Sequence, residues 1–141
     1  MEEQFLRPTI SIRGVVCLDD ETVLTIRRAS DGVWELPGGR IRRSEAVEDC
    51  LRREVAEETG LAVTVHSPVE AVTWQNDAGE DRFAVYYRCT TAESDVSLSG
   101  EHTDAEWLGA STARRRLSEP QAVATRRACD HGSGERPVRD D

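Results

Sequence analysis

Within "LRREVAEETGL", residues 51 to 61, the chain sets Glu54, Glu57 and Glu58 into five positions. On a helix, residues three and four apart share one surface, and each like-charged pair there costs roughly 0.2–0.5 kcal/mol. Either water screens that cost or a bound cation removes it. At about 100° per residue, the three glutamates fall on the same arc as Val47, Cys50, Leu51 and Val55. Glu45, Glu48, Asp49, Arg52 and Arg53 occupy the opposite, mixed-charge face. Inward-facing carboxylates are costly unless paired or coordinated to metal. Arg53 stands one turn before Glu57 and pairs with it, which leaves Glu54 and Glu58 without a local counter-charge. Carboxylates without neighbouring His or Cys suit a hard cation, Mg²⁺ or its substitute Mn²⁺. Mg²⁺ commonly completes its shell with water and substrate phosphates, so the pattern points to phosphate chemistry.

The elements that must carry these residues follow from local patterning. "ISIRGVVCL" (10–18) is apolar and β-branched and predicts a buried strand, and "TVLTIRR" (22–28) predicts its hairpin partner across the turn "DDE". "VWELPGGR" (33–40) predicts a short extended piece broken by Pro37, Gly38 and Gly39. A helix is predicted from Ser44 as N-cap to Thr59, with acids in its first turn and Gly60 as the residue that ends it. Strands are predicted over 61–74 and 82–90, a polar loop over 91–104, and a short strand over 105–110. "RRRLSEPQAVATRRA" suits a C-terminal helix or a homodimer interface. Residues 129–141 have the composition of a flexible tail. Strands interrupted by a helix predict an α/β or α+β domain with a mixed sheet.

Composition narrows the function classes. At 141 residues the chain predicts one domain, and its net charge of −9 argues against nucleic-acid polymers and anionic membranes as partners. All 18 basic residues are Arg, as in an arginine-rich codon usage or a salt-adapted cytoplasm. No apolar run approaches the ~20 residues of a bilayer span, and the N-terminus lacks a secretory signal pattern. The four cysteines form no CxxC pair, which argues against a zinc site or a disulfide framework. A cytoplasmic setting is the expectation.

The stretch "GGRIRRSEAVEDCLRREVAEETGL" resembles the Nudix box of the Nudix (MutT-like) hydrolases. That pattern is Gly, five residues, Glu, seven residues, then Arg-Glu-apolar-any-Glu-Glu-any-Gly-apolar. Gly39, Glu45, Arg53, Glu54, Val55, Glu57, Glu58, Gly60 and Leu61 satisfy each position. The resemblance implies a Nudix fold over residues 1–128, an α/β/α sandwich with a mixed β-sheet and the box as a loop–helix–loop. It implies water attack on the pyrophosphate linkage of a nucleoside diphosphate joined to another group, in a nucleoside triphosphate, ADP-ribose or a nucleotide sugar. Glu54, Glu57 and Glu58 would ligate one or more divalent ions directly or through water, with a backbone carbonyl near Gly38 or Gly39. Arg53 would hold a glutamate in place, and Glu45 would brace the loop or assist at a second metal. Glu57 or Glu58 would serve as general base, or Glu101 in "SGEHTD", with His102 and Glu106 behind it. Arg27 and Arg28, Arg40, Arg42 and Arg43 are candidates for phosphate contacts, and Trp34 and Trp74 for base stacking. The alternative is a Nudix-fold nucleotide-binding regulator without catalysis; loss of a box acid would mark it, and none is lost.

Overall fold

The computed structural model describes residues 2–134, with side chains described through residue 130. Seven strands and three helices follow in the order β1 (Thr9–Cys17), β2 (Thr22–Arg28), β3 (Trp34–Glu35), β4 (Gly38–Arg40), α1 (Val47–Thr59), β5 (Thr64–Gln75), β6 (Asp81–Thr90), β7 (His102–Gly109), α2 (Ala110–Arg116) and α3 (Glu119–Gly134). They form one mixed sheet. β1 lies at its centre, parallel to β6 from Thr9↔Arg82 to Cys17↔Thr90 and antiparallel to β2 and β4. β5 continues the sheet beyond β6, while β3 and β7 pair with β2.

Alternation along each strand divides the core into two layers. Ile12 and Val16 of β1, Leu24 and Ile26 of β2 and Cys89 of β6 bury against Cys50, Leu51 and Val55 of α1. Val15, Val23, Ala84 and Tyr86 face the other way and pack against Ala113 of α2 and Ala124 and Ala128 of α3. The result is the α/β/α sandwich that the resemblance implies. Each fully buried Val, Leu or Ile contributes roughly 1.5–3 kcal/mol, so both helix layers are anchored by the same central strand. Among the described residues no helix is long and apolar enough to cross a membrane.

Three boundaries differ from expectation. Ser44 does not cap α1: it adopts a left-handed φ of 63°. It lies inside a turn that Glu45 N–H closes on Arg42 O at 3.2 Å. The cap is Ala46, with no side-chain hydrogen bond. At the other end Gly60 fills its expected role, with φ 74° and its N–H on Ala56 O at 2.9 Å. β7 begins at His102 rather than 105, because its backbone pairs with β2 whatever the polarity of the side chains. α3 runs on to Gly134, so residues 129–134 are helical where a tail is expected; the remaining 135–141 lie outside the described residues.

The tightest approach in the sheet is at Gly38. Its φ is +151°, and a Cβ there would stand 2.3 Å from Ile12 O and 2.6 Å from Arg13 Cα. Both neighbours are backbone of the central strand and cannot move without breaking the β1–β4 ladder. Gly38→Ala is expected to destabilise the protein by at least about 2 kcal/mol, read as a lower urea midpoint with an unchanged slope. An unaltered midpoint would show that the approach is not limiting.

Candidate active site

The last turns of α1 meet β4 edge-on. Leu51, Val55 and Glu58 repeat at i, i+4 and i+7, so the stripe that buries the helix also buries Glu58, which is 7% exposed. Its Oε1 accepts the Gly38 N–H at 3.0 Å. Burial pushes the Glu58 carboxyl up to about 8; the Gly38 N–H and Arg13 offset part of that, and Glu54 and Glu35 add to it. Glu54 presses against the neighbouring glycine, where a Cβ on Gly39 would lie 2.4 Å from its carboxyl carbon. Glu57 is the most exposed of the three.

Arg53 distributes its charge differently from the expected single pair with Glu57. It forks onto Glu45, Nε to Oε2 at 2.7 Å and Nη2 to Oε1 at 3.0 Å. Its Nη1 reaches Glu54 at 2.9 Å and Glu57 at 3.3 Å. Glu54 is therefore compensated, and of the three box glutamates only Glu58 stands off the guanidinium. Nor are Arg53 and Glu45 on a solvated outer face: Glu45 precedes the helix, and the turn at 42–45 swings it back to receive Arg53. That hydrogen bond, with the Arg42 N–H, holds the Glu45 carboxyl down to about 2 and raises Arg53 further.

Two cavities meet here. A smaller one of about 520 Å³ is lined by Gly38, Gly39, Arg40, Arg42, Arg53, Glu54, Glu57, Glu58 and Glu101. It shares Gly38, Gly39, Arg40, Glu58 and Glu101 with a larger cleft of about 1010 Å³ on the α3 side of the sheet. Three strands floor that cleft in register. Thr9, Arg82 and Trp74 form one row, and Arg13 and Tyr86 another. Pro120 and Gln121 of α3 close the side, with Gln121 Oε1 accepting the Leu36 N–H at 2.8 Å. Trp74 stays 43% exposed.

Other candidates fall elsewhere. Arg27 is spent on Gly32 O at 3.0 Å and on Asp104, and lines neither cavity. Trp34 also lies outside both, its ring covered by Arg116 at 4.2 Å. Glu106 pairs with Arg116, and Arg43 lines neither cavity. Arg28 does line the large cleft, held by Asp31 at 2.7 Å and Glu35 at 3.4 Å. The polar floor of Arg13, Glu35, Arg82 and Tyr86 goes unnoticed in the sequence. The one available signal is an arginine in the middle of the apolar run "ISIRGVV".

The donor set can be tested against a cation. Among the described residues no three His, Cys, Asp or Glu side chains are gathered closely enough to enclose a metal ion. The smaller cavity nevertheless offers only hard oxygens as donors, from carboxylates and glycine backbone that no Cβ shields. That set fits Mg²⁺, which takes a few carboxylates and shares its shell with water and phosphate.

The NUDIX domain family model matches residues 8–128. A "MutT-like protein" of Streptomyces ambofaciens is 35% identical over 126 residues, 89% of this chain and 79% of the relative. "Nucleoside triphosphatase NudI" of Escherichia coli O81 (strain ED1a) is 30% identical over 114 residues, 68% of this chain and 81% of the relative. Among solved structures, the MutT protein of Methanosarcina mazei Go1 superposes with TM-score 0.79 at 22% identity, covering 94% of this chain and 99% of that one; at that identity the likeness concerns the fold alone.

The high Glu58 value has a consequence for stability. The unfolded carboxyl titrates near 4.5 and the folded one near 8, so between these values the folded state binds the extra proton. The protein therefore loses stability as pH rises across this window, by on the order of a few kcal/mol. In thermal melts from pH 5 to pH 8, Tm should fall, and Glu58→Gln should flatten the slope. A slope that Glu58→Gln leaves unchanged would mean that another group carries it.

Proposed function

The chain belongs to the NUDIX domain family, and on that premise we propose that it is a Mg²⁺-dependent pyrophosphohydrolase acting on a nucleoside diphosphate joined to another group. Nucleoside triphosphates, ADP-ribose and nucleotide sugars are the candidate substrates, and the name of the NudI relative favours the first. The observation that carries the proposal is the meeting of two cavities, one acidic and bare-backboned, one lined by arginines and an open tryptophan. A cytoplasmic setting belongs to the same reading and rests on the cysteine spacing and charge.

Glu54, Glu57 and Glu58, with a carbonyl of Gly38 or Gly39, would hold the ion. Bound there, Mg²⁺ supplies charge neutralisation at the phosphates and a more acidic water. Arg53 keeps Glu45, Glu54 and Glu57 from drifting apart by tying all three to one guanidinium. Arg40 and Arg28 face the phosphates from the junction and the cleft, where a planar fork suits oxyanions. Glu101 lines both cavities, so its carboxylate is the proton acceptor from the attacking water. Trp74 and Arg82, at the far end of the cleft floor, receive the base. Arg27 and Trp34 have no part in this arrangement.

A panel of nucleoside triphosphates, nucleotide sugars, ADP-ribose and dinucleotides with Mg²⁺, read as released phosphate, tests the proposal. Turnover of at least one is expected; tight nucleotide binding without turnover of any would favour the regulator instead. On the best substrate, Glu57→Gln should lower kcat by orders of magnitude with an unchanged circular-dichroism spectrum. Trp74→Ala should raise KM about tenfold, the scale of one base–aromatic stack, while kcat holds. A loss confined to kcat would place the base elsewhere.

A further inference from the structure

His102 and Glu35 come from distant parts of the chain and meet inside the large cleft, Nε2 to Oε2 at 2.9 Å. Both are nearly sealed, at 6% and 5% exposure. The Glu35 carboxylate also receives Arg28 at 3.4 Å and stands 3.5 Å from Arg13. A carboxylate so placed accepts, so Nε2 is the ring nitrogen that carries the proton. The other nitrogen, Nδ1, is buried with no hydrogen-bond partner. An unsatisfied buried nitrogen is destabilising, and an apolar side chain would fill the same space without that cost. Stability alone does not account for a histidine here.

The backbone explains what the ring does. β2 and β7 pair residue for residue up to Arg27↔Asp104 and then slip, so that His102 opposes Arg28 and Thr103 is the extra residue. Such a bulge re-aims a side chain, here into the cleft toward Glu35. The next residue back is Glu101, at the junction of the two cavities. Its carbonyl accepts the Ala29 N–H at 2.9 Å, while His102 N–H reaches Ser99 O at 3.3 Å. The stretch before it, 91–101, has no helix or strand. The imidazole–carboxylate bond is therefore a side-chain tether at the end of this loop, while Trp107 Nε1 on Ser94 O at 3.0 Å holds its middle.

We propose that the buried His102–Glu35 hydrogen bond is a latch that positions Glu101 at the junction of the two cavities, making His102 a positioning residue for the hydrolysis. The proposal rests on Glu101 being the proton acceptor.

The test is a double-variant cycle on the substrate found by the panel, with hydrogen exchange as a readout independent of turnover. Glu101→Gln should lower kcat on the order of a hundredfold. His102→Phe, which fills the space without a donor, should lower kcat at least tenfold with KM within threefold. In the Glu101→Gln background it should cost nothing further. His102→Gln, which restores a donor, should recover kcat to within about threefold of the parent. In His102→Phe the Ala29 and His102 amides should exchange at least tenfold faster. If His102→Phe does not fold, His102→Leu reads the same bond. Wild-type kcat in Glu101→Gln overturns the proton-acceptor assignment itself. Loss in Glu101→Gln alone, or losses that multiply in the double variant, overturns only the latch.

Discussion

Two glycines in β4 allow backbone and carboxylate to touch where any other residue would hold them apart. The Gly38 N–H is bonded to Glu58, and the Gly39 Cα faces the Glu54 carboxyl at a distance that leaves no room for a Cβ. This contact sets the depth at which the last turns of α1 lie against the sheet. The register of β4 on β1, Ser11 to Arg13 against Arg40 to Gly38, then brings the arginine-lined cleft to the same edge. Without so close an approach the two cavities would not share a wall.

Packing three acids at one helix end creates a charge problem, and the chain meets it in two separate ways. Arg53 gathers Glu45, Glu54 and Glu57 around one guanidinium, so that fixed ion pairs absorb most of the repulsion. Glu58 is treated differently, buried behind its neighbours and given a backbone N–H in place of a cation. Desolvation then outweighs that single donor and keeps its proton on to higher pH. At the proposed metal site a divalent ion would reverse that balance, since a positive charge favours the ionised form. The site thus combines a rim of carboxylates fixed on Arg53 with one buried carboxyl held by a backbone N–H.

The cleft floor follows a similar economy of buried charge. Glu35 is the acceptor for Arg28 and His102 and lies beside Arg13, so it links β1, β2, β3 and β7 beneath the surface. Burial makes such pairs poor sources of net stability but strict about geometry. On the α3 side, small residues at Ala124 and Ala128 let the helix sit close to the sheet, and Gln121 reaches across to the backbone of Leu36. The walls of the cleft are therefore held by polar contacts, and its depth by small side chains.

Much of this was legible before any coordinates. Strand and helix periods in "ISIRGVVCL", "TVLTIRR" and "LRREVAEETGL" reflect local burial, and the spacing from Gly39 through Gly60 carries the resemblance to the Nudix box. What stayed hidden depends on contacts between residues far apart in sequence. Glu45 points outward on a helix capped at Ser44, but α1 is capped two residues later, at Ala46, and the turn at 42–45 brings Glu45 back onto Arg53. Arg28 rather than Arg27 lines the cleft, and Trp74 rather than Trp34, because tertiary packing and not spacing along the chain decides which side chain reaches it. Glu35 and His102 carry no local signal of their meeting, since 67 residues separate them. The acidic helix, its glycine neighbours and the family resemblance they carry can be read along the chain alone, because they depend on local spacing. Which distant side chains share the cleft emerges in the folded chain, where strand order and one bulge, not spacing along the chain, bring them together.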